Sequence, residues 1–329
     1  MKGWAAGLVI LALAAILPLF ASDAFIYVLG LSYLFIILAV SWDIIVGYTG
    51  QVNLGHTVFV GLGAYTTALL QVPARLQGTF LGYLANLPTI PIFPSILLGG
   101  CVAGLAGLII GGITLRLRGW YFALVTAVLP LIFIETTIIW REIFGGEEGF
   151  SIGLERSLAP TTIGKYYMAL ALMIVLVGVS IVIVRSGIGL KFKAIREDIL
   201  LAESLGINTV KCKVLAFVLS SFLAGIVGGL MVHYRSTVSP GLYDVPLMLL
   251  VILAAVIGGL GTIFGPMIGG VVVYLMKYWW LKGTISPLRA LGLPINDDII
   301  LYAVLIVLAI LVPEGLWTRI GGMFRKAYG

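Results

Sequence analysis

The stretch FIYVLGLSYLFIILAVSWDIIV, residues 25–46, runs directly into GYTGQVNLGHTVFVGLGAY, residues 47–65, and the two strings together decide the class of fold. The first is 22 residues long with one ionisable side chain, Asp43, enough as a helix to cross an approximately 30 Å hydrocarbon core. The second sets Tyr48, Thr49, Gln51, Asn53, His56 and Thr57 among glycines at the same depth. Lipid cannot satisfy non-helical backbone there, so such chain must be buried in protein or line a cavity.

The rest of the chain repeats the first string. Apolar runs fall at about 4–22, 25–46, 50–72, 91–115, 120–140, 166–185, 213–234, 246–258, 264–281 and 298–313, which predicts an all-α, polytopic integral membrane protein of about ten transmembrane segments, several of them short or broken. Composition agrees: 61% hydrophobic and 10% charged residues over 329 positions, with a mean hydropathy of +1.15. Soluble domains carry roughly 25% charged residues, so a soluble enzyme, a disordered chain and a secreted disulfide scaffold are all excluded. Cys101 lies in an apolar run and Cys212 in a basic loop, and no disulfide is expected between them. The first run is read as a span rather than a signal peptide, since its apolar stretch is long and no polar, foldable segment follows it. One membrane domain over residues 1–329 is the expected organisation.

A ten-span path with both termini in the cytoplasm puts twelve lysines and arginines against four acids on the cytoplasmic side, and eight against eight outside. That is the insertion asymmetry of an inner or plasma membrane protein. It accounts for the net charge of +6 without invoking nucleic acid.

Glycine is concentrated inside the apolar runs, 42 in all, where it allows close helix packing or a break. Two breaks stand out, GYTGQVNLGH and GGLGTIFGP at 258–266; the second reads as a cytoplasmic turn between two short helices. Interrupted segments are where transporters place sites and gates, which makes Tyr48, Gln51, Asn53, His56 and Tyr65 candidates for a translocation pathway, with an interhelical hydrogen-bond patch as the equal alternative. Asp43, His56 and Glu135 are ionisable groups at membrane depth. Glu135 joins the pathway candidates, although its distance from Arg141 also suits a side chain reaching for the outer interface.

No catalytic or metal set can be assembled: two histidines give no triad or metal cluster, and Gly164-Lys165 is followed by Tyr166 instead of the phosphate loop's serine or threonine. No cofactor is expected on this chain, and it is not expected to hydrolyse ATP itself. The polar loop of about 186–212 contains KAIREDILLAESLGINTVKCK, in which a helix over 194–205 puts Ile195, Ile199, Ala202 and Leu205 on one stripe and Arg196, Glu197, Asp198 and Glu203 around the remainder, with Gly206 as its stop. Acids on its polar face favour a protein partner over the headgroup surface of a bilayer.

These strings, with RLRGWYFALVT (116–126), GGEEGF (145–150), SPGLY (239–243), GGLGTIFGPMIGG (258–270) and PEGL (313–316), occur in an order that resembles the permease subunits of branched-chain amino-acid ABC importers, the longer of the two permease types. The resemblance covers nearly the whole chain. Asn53 in place of a usual serine, and Pro130 where a Thr-Leu-Gly pattern is usual, depart from it in spans that bear on substrate. The resemblance implies a second related permease, two cytoplasmic ATPases that use the ATP, and an extracytoplasmic binding protein that delivers a branched-chain amino acid. It also implies that Glu203 and Gly206 belong to the segment that docks on an ATPase. Similar permeases carry urea or short amides. An alternative of another class is a channel or secondary transporter working alone, with Asp43, His56 or Glu135 as an ion relay.

Overall fold

A computed structural model describes residues 12–116, 120–283, 297–311 and 315–319. The predicted run at 25–46 forms α1, Asp23–Thr49, which starts where Ser22 accepts a hydrogen bond from Phe25 N at 3.4 Å and stops at Gly50, whose φ of 71° takes the chain out of the helix. From Leu29 to Thr49 α1 is buried on every side, so it shows no amphipathic stripe and forms the centre of the molecule. The next helix, α2, is His56–Gln71; then come α3, Ile92–Thr114, and α4, Trp120–Ile139. Helix α5 is Thr162–Arg185, α6 Gly187–Glu197, α7 Ile199–Ser204 and α8 Thr209–Arg235. The chain continues through α9, Val245–Gly258, and α10, Phe264–Leu275, which runs into a π-helical turn Met276–Leu281, and then α11, Asp297–Leu311.

Among the described residues six helical segments are long and apolar enough to cross a membrane: α1, α3, α4, α5, α8 and Pro240–Gly258, which includes α9. The runs near 264–281 and 298–313 are also helical, as α10 with its π turn and as α11. The first predicted run, 4–22, begins outside the described residues; its remainder docks on α5, where Tyr166 Oη donates to Ala14 O at 2.6 Å and Tyr167 Oη to Ala15 O at 2.8 Å. Both chain termini, Arg118, and Pro313 and Glu314 of PEGL also lie outside the described residues.

The run at 50–72 needs correction, since only residues 56–71 of it are helical. Residues 50–55 turn back alongside α1, and His56 begins α2 beside Ser41, eight residues or about 12 Å above the end of α1. The 16 residues of α2 then cover about 24 Å more.

Helix α8 packs on α3, α2 and α1, while α5 and α10 close the other flanks of α1. Glycines set these approaches. A Cβ on Gly228 of α8 would overlap the carbonyl oxygen of Val60 in α2, and one on Gly99 of α3 would come within 2.6 Å of Gly63 O. Backbone thus meets backbone across α2, α3 and α8. By contrast α3, α4 and α5 expose wide apolar faces, including Leu105, Ile109, Trp120, Leu124, Val175 and Val182, as helices facing lipid or another subunit do. Pro130 sits inside α4 without ending it, as proline in membrane helices often does.

Candidate functional site

Three places hold the residues singled out from the sequence. The first is a polar knot in the middle of the bundle. Ser41 Oγ donates to Leu38 O at 2.7 Å, so its 2.9 Å contact with His56 Nε2 is donated by the imidazole. That assigns the neutral tautomer with its proton on Nε2, leaving Nδ1 to accept the long 3.5 Å contact from Asn53 Nδ2. Asn53 Oδ1 accepts from Gly55 N at 2.9 Å, its backbone oxygen from Trp42 Nε1 at 2.7 Å, and Thr126 Oγ1 accepts from Leu54 N at 3.1 Å. The extended chain at membrane depth is thereby satisfied by side chains of α1 and α4. Asn53 and His56 are wholly buried and join α1 to the start of α2, while Leu54 between them reaches α4 through Thr126, so a solute could border them only after these helices part.

The second place is the junction under the polar loop. The predicted helix over 194–205 is two helices, α6 and α7, because Asp198 leaves the helical conformation and its carboxylate accepts from Leu200 N at 2.8 Å and Leu201 N at 3.0 Å. Capping by a short acidic side chain outweighs the apolar period here. At the other end of α7, Ile207 N bonds to Ala202 O and Gly206 N to Glu203 O, a Schellman closure with Gly206 at φ 80°. Nothing lies within 4 Å of a Cβ built on Gly206, so its backbone angle, and not lack of space, calls for glycine. Glu203 braces the same turn by accepting from Thr209 Oγ1 at 2.8 Å.

The split sorts the candidate docking residues. Ile195 and Ala202 are buried against the chain itself, whereas Ile199, Leu200 and Leu201 of α7 and Leu205 just after it are exposed, as is Glu197 before it. Ile195 is therefore corrected from a docking anchor to an internal one. Arg196, itself exposed, reaches back along the chain: its guanidinium donates to Gly47 O at the end of α1. Two residues into the α9–α10 turn, Gly261 N donates to Asp43 Oδ1 at 2.9 Å, and a Cβ on Gly261 would collide with the Arg196 guanidinium. Lys193 Nζ stands 5.6 Å over the ring of buried Tyr48. One short segment thus grips both the end of α1 and the turn made by GGLGTIFGP, while Gln51 lies half-buried just beyond Gly50.

The third place is on the opposite face. Buried Tyr65 is ringed by Phe144 at 5.2 Å, Phe133 at 5.9 Å, Phe150 at 6.3 Å and Tyr243 at 6.4 Å between ring centroids. Arg75 stacks 4.4 Å over Phe150 and donates through Nε to Ile143 O at 2.9 Å. A two-residue antiparallel ladder, Phe150–Ser151 with Thr237–Val238, ties the GGEEGF loop to the segment before SPGLY. Sequence reading found Tyr65 and both motifs but not Arg75 or Phe144, whose roles arise only through tertiary contact. Glu135 belongs to none of the three places, being on the exposed face of α4. Asp43, His56 and Glu135 accordingly occupy three separate environments, which does not favour a shared ion relay.

A predominantly helical, multi-pass membrane protein is the class that this architecture defines. The chain belongs to the family described as branched-chain amino acid transport system / permease component, whose model matches residues 24–309. It is 27% identical over 299 residues to the high-affinity branched-chain amino acid transport system permease protein LivM of Escherichia coli (strain K12), covering 82% of this chain and 66% of that protein. LivM of Salmonella typhimurium is 28% identical over the same length and shares of the chains. The corresponding permease protein LivH of Escherichia coli (strain K12) is 24% identical over 322 residues, 88% of this chain and 92% of LivH. The chain therefore spans 66% of the length of these LivM relatives. No solved structure matches it.

Proposed function

We propose that this chain is the membrane permease subunit of an ATP-driven importer of branched-chain amino acids. It works with a second, related permease, two cytoplasmic ATPases and an extracytoplasmic binding protein. The ATPases use the ATP, and this chain supplies the passage and the docking segment. Its basic face and both termini lie in the cytoplasm of a cell whose plasma membrane, or inner membrane if it has two, holds the assembly; the charge asymmetry of the loops supports that orientation. The family membership supports the solute class.

The observation that carries the reading is the apolar patch of Ile199, Leu200, Leu201 and Leu205 on α7, held rigid by the Asp198 cap and the Gly206 closure. In a segment that also exposes Glu197, Asp198 and Glu203, Leu200 is 76% exposed and Leu205 71%. A groove on an ATPase surface would bury them, and a buried aliphatic side chain contributes roughly 1.5–3 kcal/mol against about 0–1 for an exposed ion pair. Leu200→Asp should therefore release the ATPases during purification of the assembly, whereas Glu197→Ala retains them. Gly206→Asn, which tolerates the left-handed conformation, should retain them as well, and Gly206→Val should not. Full retention in Leu200→Asp and Leu201→Asp would make α7 a headgroup-facing helix and place the docking surface elsewhere.

A further inference from the structure

We infer that the exposed face of α4 is the surface on which this chain packs against the second permease, and that Glu135 there accepts a hydrogen bond or ion pair from a donor on that partner's membrane helix. The inference rests on the importer reading for the identity of the partner and adds which surface meets it and through what contact.

Helix α4 lies at the margin of the bundle, packed mainly on α2 and the turn Pro240–Leu242, and it is the least buried of the six long apolar helices. Its exposed residues Tyr121, Leu124, Val128, Leu131, Ile132 and Glu135 recur at helical spacing and form one stripe. Trp120 is exposed at one end of the helix and Trp140 at the other, where Trp140 N still bonds to Thr136 O. From one tryptophan to the other the helix rises about 30 Å, the thickness of a hydrocarbon core between its aromatic belts. Arg141 and Glu142 follow as exposed charges where water begins. Glu135 stands about 7.5 Å inside that boundary. Side chains of a helix lean toward its N-terminus, which for Glu135 is toward the middle of the membrane, and its stem is shorter than those of the lysines and arginines that reach back to an interface. The residues one turn away, Leu131, Ile132, Ile138 and Ile139, are all aliphatic, and nothing among the described residues pairs with the Glu135 carboxyl group.

Lipid gives a carboxyl group nothing to bond, and ionisable side chains at such depth meet a partner or a water-filled cavity. From Leu124 onward the stripe around Glu135 is otherwise leucine, isoleucine and valine, which suits the surface of another membrane helix better than a wall facing water. That helix does not belong to a second copy of this chain. Two copies paired about a two-fold axis bring the same face against itself, carboxyl group beside carboxyl group. The one hydroxyl next to Glu135 on this face is already used, since Thr136 Oγ1 donates to Ile132 O at 2.7 Å. A related but different chain, with a lysine, an arginine or a side-chain amide at the corresponding depth, supplies the donor that a copy lacks.

The test is irradiation of the purified assembly in nanodiscs with the photo-crosslinker p-benzoylphenylalanine in place of Leu131, and identification of what it joins by mass spectrometry. The expected link is to the related permease. In the chain without the crosslinker, Glu135→Leu should retain about threefold to tenfold less of that permease on purification, the worth of one interhelical hydrogen bond. Glu135→Gln still accepts a hydrogen bond and should retain more than Glu135→Leu. If Glu135→Leu fails to accumulate, the link from position 131 in a chain that keeps Glu135 still decides. Links to lipid alone or to a second copy of this chain, or full retention of the related permease in Glu135→Leu, would each overturn the surface. So would labelling of Leu131→Cys by a membrane-impermeant thiol reagent in a Cys101→Ser, Cys212→Ser background, since it would make the face a wall of a water-filled passage. ATP-driven leucine uptake without the expected link would move the interface elsewhere and leave the importer standing, whereas the link without ATP-driven uptake would do the reverse.

Discussion

Arg196→Ala separates ATP hydrolysis from transport: in proteoliposomes holding the complete assembly and binding protein, leucine uptake falls by about tenfold or more while the ATPases stay bound and keep hydrolysing. The reason lies in how α6 and α7 are fastened. The exposed apolar patch is on and just after α7, and the polar link nearest to it is the Arg196 guanidinium on Gly47 O, next to the Asp43 contact with Gly261 N. A hydrogen bond to a charged group contributes about 1.5–3 kcal/mol, and each 1.4 kcal/mol is a factor of ten in an equilibrium. Losing that bond should loosen α7 from the end of α1 while Phe192 and Ile195 keep α6 packed on the bundle, so that movement at α7 would reach the end of α1 less directly. Asp43→Asn keeps an acceptor for Gly261 N and should be mild, whereas Asp43→Leu removes it and should resemble Arg196→Ala. Unaltered uptake per ATP hydrolysed in Arg196→Ala would place the mechanical link elsewhere.

The second large effect concerns the bundle itself. Gly228→Leu forces a side chain into the carbonyl of Val60, and backbone cannot yield as a flexible side chain can. The α2–α8 approach must widen, at a cost of about 3 kcal/mol or more. For a chain of this size that corresponds to a fall of about 4 °C or more in the melting midpoint of the detergent-solubilised protein, with loss of the monodisperse peak on gel filtration. Gly178→Ala on α5 is the control, since nothing lies within 4 Å of its added Cβ, and it should melt at or above the wild-type midpoint. Matching midpoints for Gly228→Leu and the wild type would contradict the packing described for these helices.

How far the sequence carried depended on whether a feature was set by solvent or by contact. Spans follow from transfer of apolar side chains into lipid, a property each run has by itself, so the nine runs from 25–46 to 298–313 all correspond to helices of the described structure. The turn at GGLGTIFGP was legible too, since a 35-residue apolar stretch exceeds one crossing and its glycines at 259 and 261 do take positive φ. The break at Asp198 was missed because a helical wheel sees only the apolar period, although aspartate in mid-pattern is itself a capping signal. Arg235 was legible only as a charge in a topology count and Arg196 as a charge on the polar face of the loop helix, facing a partner; that Arg196 reaches Gly47 instead depended on the placement of α1, which no local pattern gives. The polar residues of GYTGQVNLGH were rightly seen to need partners at membrane depth. That those partners are Ser41, Trp42 and Thr126 depended on the helices α1 and α4, which no local pattern places.

The most direct measurement is accumulation of radiolabelled leucine in proteoliposomes containing this chain, its partner permease and the two ATPases, with the binding protein on the opposite side of the membrane from the ATPases. The account predicts accumulation that requires both ATP on the α7 side and leucine-loaded binding protein on the other, and that is lost in Leu200→Asp. Leucine accumulation driven by an ion gradient alone, by this chain without the ATPases, would contradict it.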